Sequence, residues 1–129
     1  MSHHWAWFVK ASIAHFVAQA SATGSERTFS TISCGADYTL AVLVDGTPIA
    51  WGFPLSEREK VYIPQGYLWY RLFAGTSHSC GIIASGETIC WGRSREGQCD
   101  VPSGYSFQTL TLGEAFTCGL TLSAELLCW

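Results

Sequence analysis

The 129-residue chain contains no asparagine, so it carries no N-glycosylation sequon. It is also poor in charge: 7 Lys and Arg against 10 Asp and Glu make up 13% of the residues, with a formal net charge of −3. No basic stripe or Arg-rich tract supplies the phosphate attraction that nucleic-acid binding needs, and no nucleic-acid partner is expected. No apolar run reaches the length of a membrane span. The short Cys-x-x-Cys knuckle of tetrahedral zinc sites is missing, as is a glycine-rich phosphate loop. Gly75-Thr-Ser-His-Ser79 ends in serine where a nucleophile elbow needs glycine, and no strand-to-helix pattern follows it. Asp37 and Glu114 have no second acid at a fixed spacing, and His3 and His4 form only an isolated pair near a terminus. A non-catalytic protein without cofactor or metal is therefore expected.

What is present is a repeat. Gly35, Gly75 and Gly113 each open a segment that closes on a tryptophan sixteen residues later, at Trp51, Trp91 and Trp129, with offsets of 40 and 38 residues between copies. An aromatic stands six residues before each glycine (Phe29, Trp69, Phe107) and an aliphatic three before it (Ile32, Leu72, Leu110). A ring stands three after it (Tyr38, His78, Phe116), so His78 is read as a packed, hydrogen-bonded ring rather than a general base.

Each unit reads as a hairpin. In the middle copy Ala84-Ser85-Gly86 suits a three-residue turn whose last residue takes φ > 0, and Gly46 fills that slot in the first copy. The third copy has Ala124 there, so its turn is expected to differ. Pairing about Ser85 puts Gly81, Ile83, Ile89 and Trp91 on one face and Cys80, Ile82 and Cys90 on the other. A strand pair apolar on both sides must be covered on both sides, as in a stack of similar sheets, with Ala41, Gly81 and Gly119 allowing close approach. Fold class is thus all-β.

The same register sets Cys80 opposite Cys90 and Cys118 opposite Cys128, while the first copy holds Leu40 and Ala50 in those slots. Gain and loss in pairs favours two cross-strand disulfides over four independent buried thiols, and disulfides point to an oxidising compartment. Cys34 and Cys99 could bridge units or stay free.

The repeat region is read as 28–129, with cores 28–52, 68–92 and 106–129. Segment 1–27 reads in two ways: an export signal ending at Ala20-Ser21-Ala22, or an amphipathic helix with Trp5, Phe8, Val9, Ile13, Phe16, Val17 and Ala20 on one face. It leaves membrane contact open. The spacers between cores differ where the cores agree, and they hold Glu57, Arg58, Glu59 and Lys60 in one and Arg93, Arg95, Glu96 and Asp100 in the other. Variable loops on a constant scaffold are typical partner-binding surfaces, against the alternative of a solvated, self-neutralising rim. Both spacers end alike, in Pro64-Gln-Gly-Tyr67 and Pro102-Ser-Gly-Tyr105, which reads as a structural turn.

The runs Gly75-Thr-Ser-His-Ser-Cys-Gly81, Ser85-Gly-Glu-Thr-Ile-Cys-Trp-Gly92 and Glu96-Gly-Gln-Cys-Asp-Val-Pro-Ser-Gly104 resemble repeats of the regulator of chromosome condensation family. They are most similar to its short-repeat subgroup, which includes the propeller-type β-lactamase inhibitor protein and cysteine-bearing ectodomains of plant receptor kinases. The resemblance implies blades of a β-propeller, about three of them here, from a ring that in this family usually has more. A fragment of a longer propeller is expected, with further blades or self-association covering the exposed ends. It also implies a protein-binding module, secreted or at the cell surface. The alternative is an intracellular regulator like the family's guanine-nucleotide exchange factor or its ubiquitin ligases.

Overall fold

A computed structural model describes residues 27–52 and 62–129. Both readings of the N-terminal segment, and the charged run Glu57, Arg58, Glu59 and Lys60, lie outside the described residues. Each repeat core is a three-stranded antiparallel meander. The first unit has β1 (Phe29–Cys34), β2 (Thr39–Leu43) and β3 (Pro48–Trp51); the second has β4 (Trp69–Ala74), β5 (His78–Ile83) and β6 (Thr88–Gly92). The third has β7 (Phe107–Leu112), β8 (Thr117–Thr121) and β9 (Leu126–Cys128). The second and third strands of each unit form the hairpin that the sequence pattern requires. The first strand carries the aromatic and aliphatic slots that precede each glycine.

Those two slots are three residues apart, which in a regular strand would put them on opposite faces. A bulge removes the conflict. Pairing shifts by one residue between Trp69 and Arg71, so Trp69 faces Ile83 while Leu72 faces Gly81, and the same shift occurs between Phe29 and Thr31 and between Phe107 and Thr109. Trp69 and Leu72 therefore lie on one face, over Gly81. A Cβ at Gly81 would collide with the Trp69 ring, and one at Gly119 with the Phe107 ring. The glycine at this slot allows the expected close approach, and what approaches it most closely is an aromatic ring of its own sheet. In the first unit the slot holds Ala41, and there the aromatic pair Phe29 and Trp51 is 6.5 Å between centroids, against 5.5 Å for Trp69 and Trp91.

The third hairpin corrects the expectation for Ala124. Its turn does not differ: Ala124 adopts φ 66°, in line with Gly46 at 86° and Gly86 at 93°. The closing hydrogen bonds match as well, with Gly46, Gly86 and Ala124 each donating N–H to the carbonyl three residues back. Sheet pairing and the Thr121 hydroxyl, which accepts from the Glu125 N–H at 3.0 Å, hold the alanine where a side chain is unwelcome. Ala124→Gly is expected to raise stability by roughly 0.5–1 kcal/mol, measurable by denaturant unfolding.

The three sheets stack face to face. Tyr38, Leu40 and Val42 on the forward face of the first sheet pack against Trp69, Leu72 and Ile83 on the rear face of the second. Cys80 and Ile82 on the forward face of the second pack against Phe107 and Leu110 on the rear face of the third. Cys80 is bonded to Cys90 and Cys118 to Cys128, each pair directly opposed with Cα atoms 4.0 Å apart. Cys34 and Cys99 are free.

Candidate functional site

Two features stand out on this stack: the seams between sheets and the spacer that runs over the second seam. Each seam has a buried polar link made by the ring three residues after a glycine. The Tyr38 hydroxyl donates to the His78 carbonyl at 2.9 Å, accepts the Gly75 N–H at 3.1 Å and meets the Ser79 hydroxyl at 2.8 Å. One unit on, His78 Nε2 lies 2.8 Å from the Thr117 hydroxyl. That hydroxyl donates to the Gln98 carbonyl at 2.8 Å, so its oxygen must accept from the imidazole. The proton therefore sits on Nε2, and Nδ1 carries a lone pair that is buried without a hydrogen-bond partner among the described residues.

His78 is completely buried, out of reach of a substrate, and burial pushes its pKa below the ordinary 6.5. The folded protein thus takes up this proton at lower pH than the unfolded chain does. Its contribution to stability is complete above about pH 6.5 and is lost as pH falls through the lowered folded-state value. The melting temperature should fall on acidification below that point. His78→Gln, which keeps an N–H donor but cannot titrate, should remove this part of the slope in a pH series of thermal melts.

The spacer of residues 93–106 is anchored from beneath by Gln98, which is fully buried. Its carbonyl takes the Thr117 hydroxyl, and its side-chain oxygen accepts the Glu96 N–H at 3.0 Å. The Arg93 N–H reaches back to the Ser77 carbonyl at 3.0 Å, and the Cys99 N–H donates to the Ser94 hydroxyl at 3.1 Å. Burial raises the Cys99 pKa, with Asp100 adding to the rise and the Ser94 hydrogen bond opposing it, so Cys99 remains a thiol. It lies 3.5 Å from the Arg93 carbonyl.

Above this anchor Arg93, Arg95, Glu96 and Asp100 are all exposed. Arg93 and Glu96 pair at 3.1 Å, both about half exposed, an ion pair worth at most about 1 kcal/mol. This pair is the self-neutralising element. Arg95 has no ion pair among the described residues, which leaves it and Asp100 as the accessible charges of opposite sign. The Pro64–Tyr67 and Pro102–Tyr105 turns each place glycine at positive φ, 90° at Gly66 and 82° at Gly104, which accounts for the repeated pattern. Among the described residues no group of three His, Cys, Asp or Glu could hold a metal ion.

Gln98 and the seam hydroxyls are the residues that sequence reasoning missed. A signal for the hydroxyls existed, because Thr39, Ser79 and Thr117 occupy one slot in all three copies. Gln98 stands once, between charges, and nothing in its neighbours marks it as buried.

No family model matches the chain, and no curated protein sequence matches it. Solved structures do. The ectodomain of the Physcomitrella patens receptor kinase CR4 is 33% identical over 81% of this chain and 29% of its own length, with TM-score 0.69. The CRINKLY WD40 ectodomain of the Arabidopsis thaliana receptor kinase ACR4 is 26% identical over 81% of this chain and 37% of its own, with TM-score 0.58. Prp20p of Saccharomyces cerevisiae, the yeast RCC1, shares the fold at 15% identity, TM-score 0.67, over 81% of this chain and 31% of its own. The chain spans about a third of the length of these structures. The stacked meanders are thus an arc of about three β-propeller blades. Their repeats are similar in sequence to those of the plant receptor kinase ectodomains, and they share the blade fold of the yeast RCC1.

Proposed function

We propose that this chain is a non-catalytic protein-binding module that works outside the cell and presents its inter-blade spacers to a protein partner. The observation that carries the reading is the pair of cross-strand disulfides, Cys80 with Cys90 and Cys118 with Cys128, because structural disulfides persist in oxidising compartments. Likeness to two receptor kinase ectodomains supports the same side of the membrane. Arg95 and Asp100 on the second spacer, with Glu57, Arg58, Glu59 and Lys60 of the first, are the proposed contact residues; Arg93 and Glu96 shape the surface between them. Exposed charges on an anchored loop set partner choice and association rate more than raw affinity.

Surface biotinylation of intact producing cells tests the location. Labelling before lysis, or recovery of the protein from the medium, is expected, and labelling only after lysis with none in the medium would sink the reading. Arg95→Glu should lower partner recovery in crosslinking while leaving the melting curve unchanged. An intracellular regulator is the second reading, and the exposed free thiol of Cys34, better suited to a reducing compartment, is what favours it.

A further inference from the structure

The two ends of the stack break the seam rule in complementary ways. Inside the stack a ring on each forward face meets a hydroxyl on the next rear face, Tyr38 with Ser79 and His78 with Thr117, both at 2.8 Å. At the forward end the ring is Phe116, which has no polar atom and is 53% exposed. At the rear end the hydroxyl is Thr39, which donates within its own sheet to the Cys34 sulfur at 3.8 Å. The ring that offers no hydrogen bond and the hydroxyl already engaged at home stand at opposite ends. Bringing them together would bury no donor without an acceptor.

The apolar surroundings correspond as well. The forward face of the second blade, with its disulfide and Ile82, packs on Phe107 and Leu110. The forward face of the third blade presents the equivalent disulfide and Leu120, and the rear face of the first blade presents Ile32, 65% exposed, at the slot of Leu110. Each end therefore displays one half of a contact that the chain already makes with itself.

We propose that a second copy of this chain docks its first blade on the third blade of its neighbour, head to tail, in the geometry of the internal seam. Such a contact is heterologous: a different patch serves on each partner, so copies add in sequence until a ring closes or a filament grows.

Sedimentation velocity on the full chain tests this, with Cys34→Ser as background to exclude disulfide-linked dimers. The expected result is mass that rises with concentration. Ile32→Glu spoils only the rear face and Phe116→Glu only the forward face, so each variant alone should be monomeric, while an equimolar mixture should form a one-to-one complex through the two intact faces. Both side chains are exposed, and circular dichroism checks that the fold survives. Should Phe116→Glu unfold, Phe116→Ser removes the same ring without adding charge. A wild-type monomer at every concentration overturns the proposal and leaves Ile32 to another segment of the chain or another protein. Self-association by either variant alone, or its loss in the Cys34→Ser background, overturns it as well.

Discussion

Trp69→Ala should destabilise the protein by about 3–5 kcal/mol, a large share of the roughly 5–15 kcal/mol that holds a domain of this kind. Trp69 is 3% exposed, with its ring over Gly81, 5.5 Å from the Trp91 ring and 5.8 Å from the Tyr67 ring. Its loss opens a cavity in the first seam, and the glycine beneath cannot refill it. The repeat supplies an internal control. Phe29 holds the same slot in the first blade but is 41% exposed, and Phe29→Ala should cost less than about 2 kcal/mol. Trp91, only partly buried, should fall between them. Urea unfolding of the three variants measures the order. Equal effects, or an unchanged curve for Trp69→Ala, would contradict the stacking of the blades.

Removal of the Cys80–Cys90 disulfide by Cys80→Ala with Cys90→Ala should cost roughly 2–3 kcal/mol through loss of the tether, and a cavity adds to that. Cys80 is fully buried in the second seam, in the cluster with Phe107 and Leu110. The first blade shows how the two contributions separate, because Leu40 and Ala50 fill the equivalent places there. Cys80→Leu with Cys90→Ala should restore packing while leaving the tether absent, and so recover part of the loss. The end-blade pair, Cys118→Ala with Cys128→Ala, loses the tether with a smaller cavity and should cost less than the seam pair. A smaller loss at Cys80 and Cys90 than at Cys118 and Cys128 would contradict the packing described here.

Much of this fold is legible in the sequence because a repeat reports its own register. The spacing from Gly75 to Trp91 places Cys80 against Cys90 and Gly81 against Ile89, and the structure pairs them so. The bulge in each leading strand is less legible, since Trp69 and Leu72 three residues apart contradict a simple alternation until one residue is taken out of register. Ala124 shows the limit of residue preference: local cost predicts another turn, but pairing along β8 and β9 outweighs it. The ring slot of Tyr38 and His78 and the hydroxyl slot of Ser79 and Thr117 both recur in the sequence, whereas their pairing cannot be read there, because ring and hydroxyl lie about 40 residues apart on successive blades. Gln98 is hidden for a related reason, as its burial depends on Thr117 from a strand formed later in the chain.

The state of the six cysteines in protein taken from its native source, alkylated at lysis and mapped by mass spectrometry, tests the account most directly. Blades in this register, in a protein that works outside the cell, predict Cys80 linked to Cys90, Cys118 linked to Cys128, and Cys34 and Cys99 alkylated. Four free thiols at positions 80, 90, 118 and 128 would contradict the extracellular role, and links between other partners would contradict the register itself.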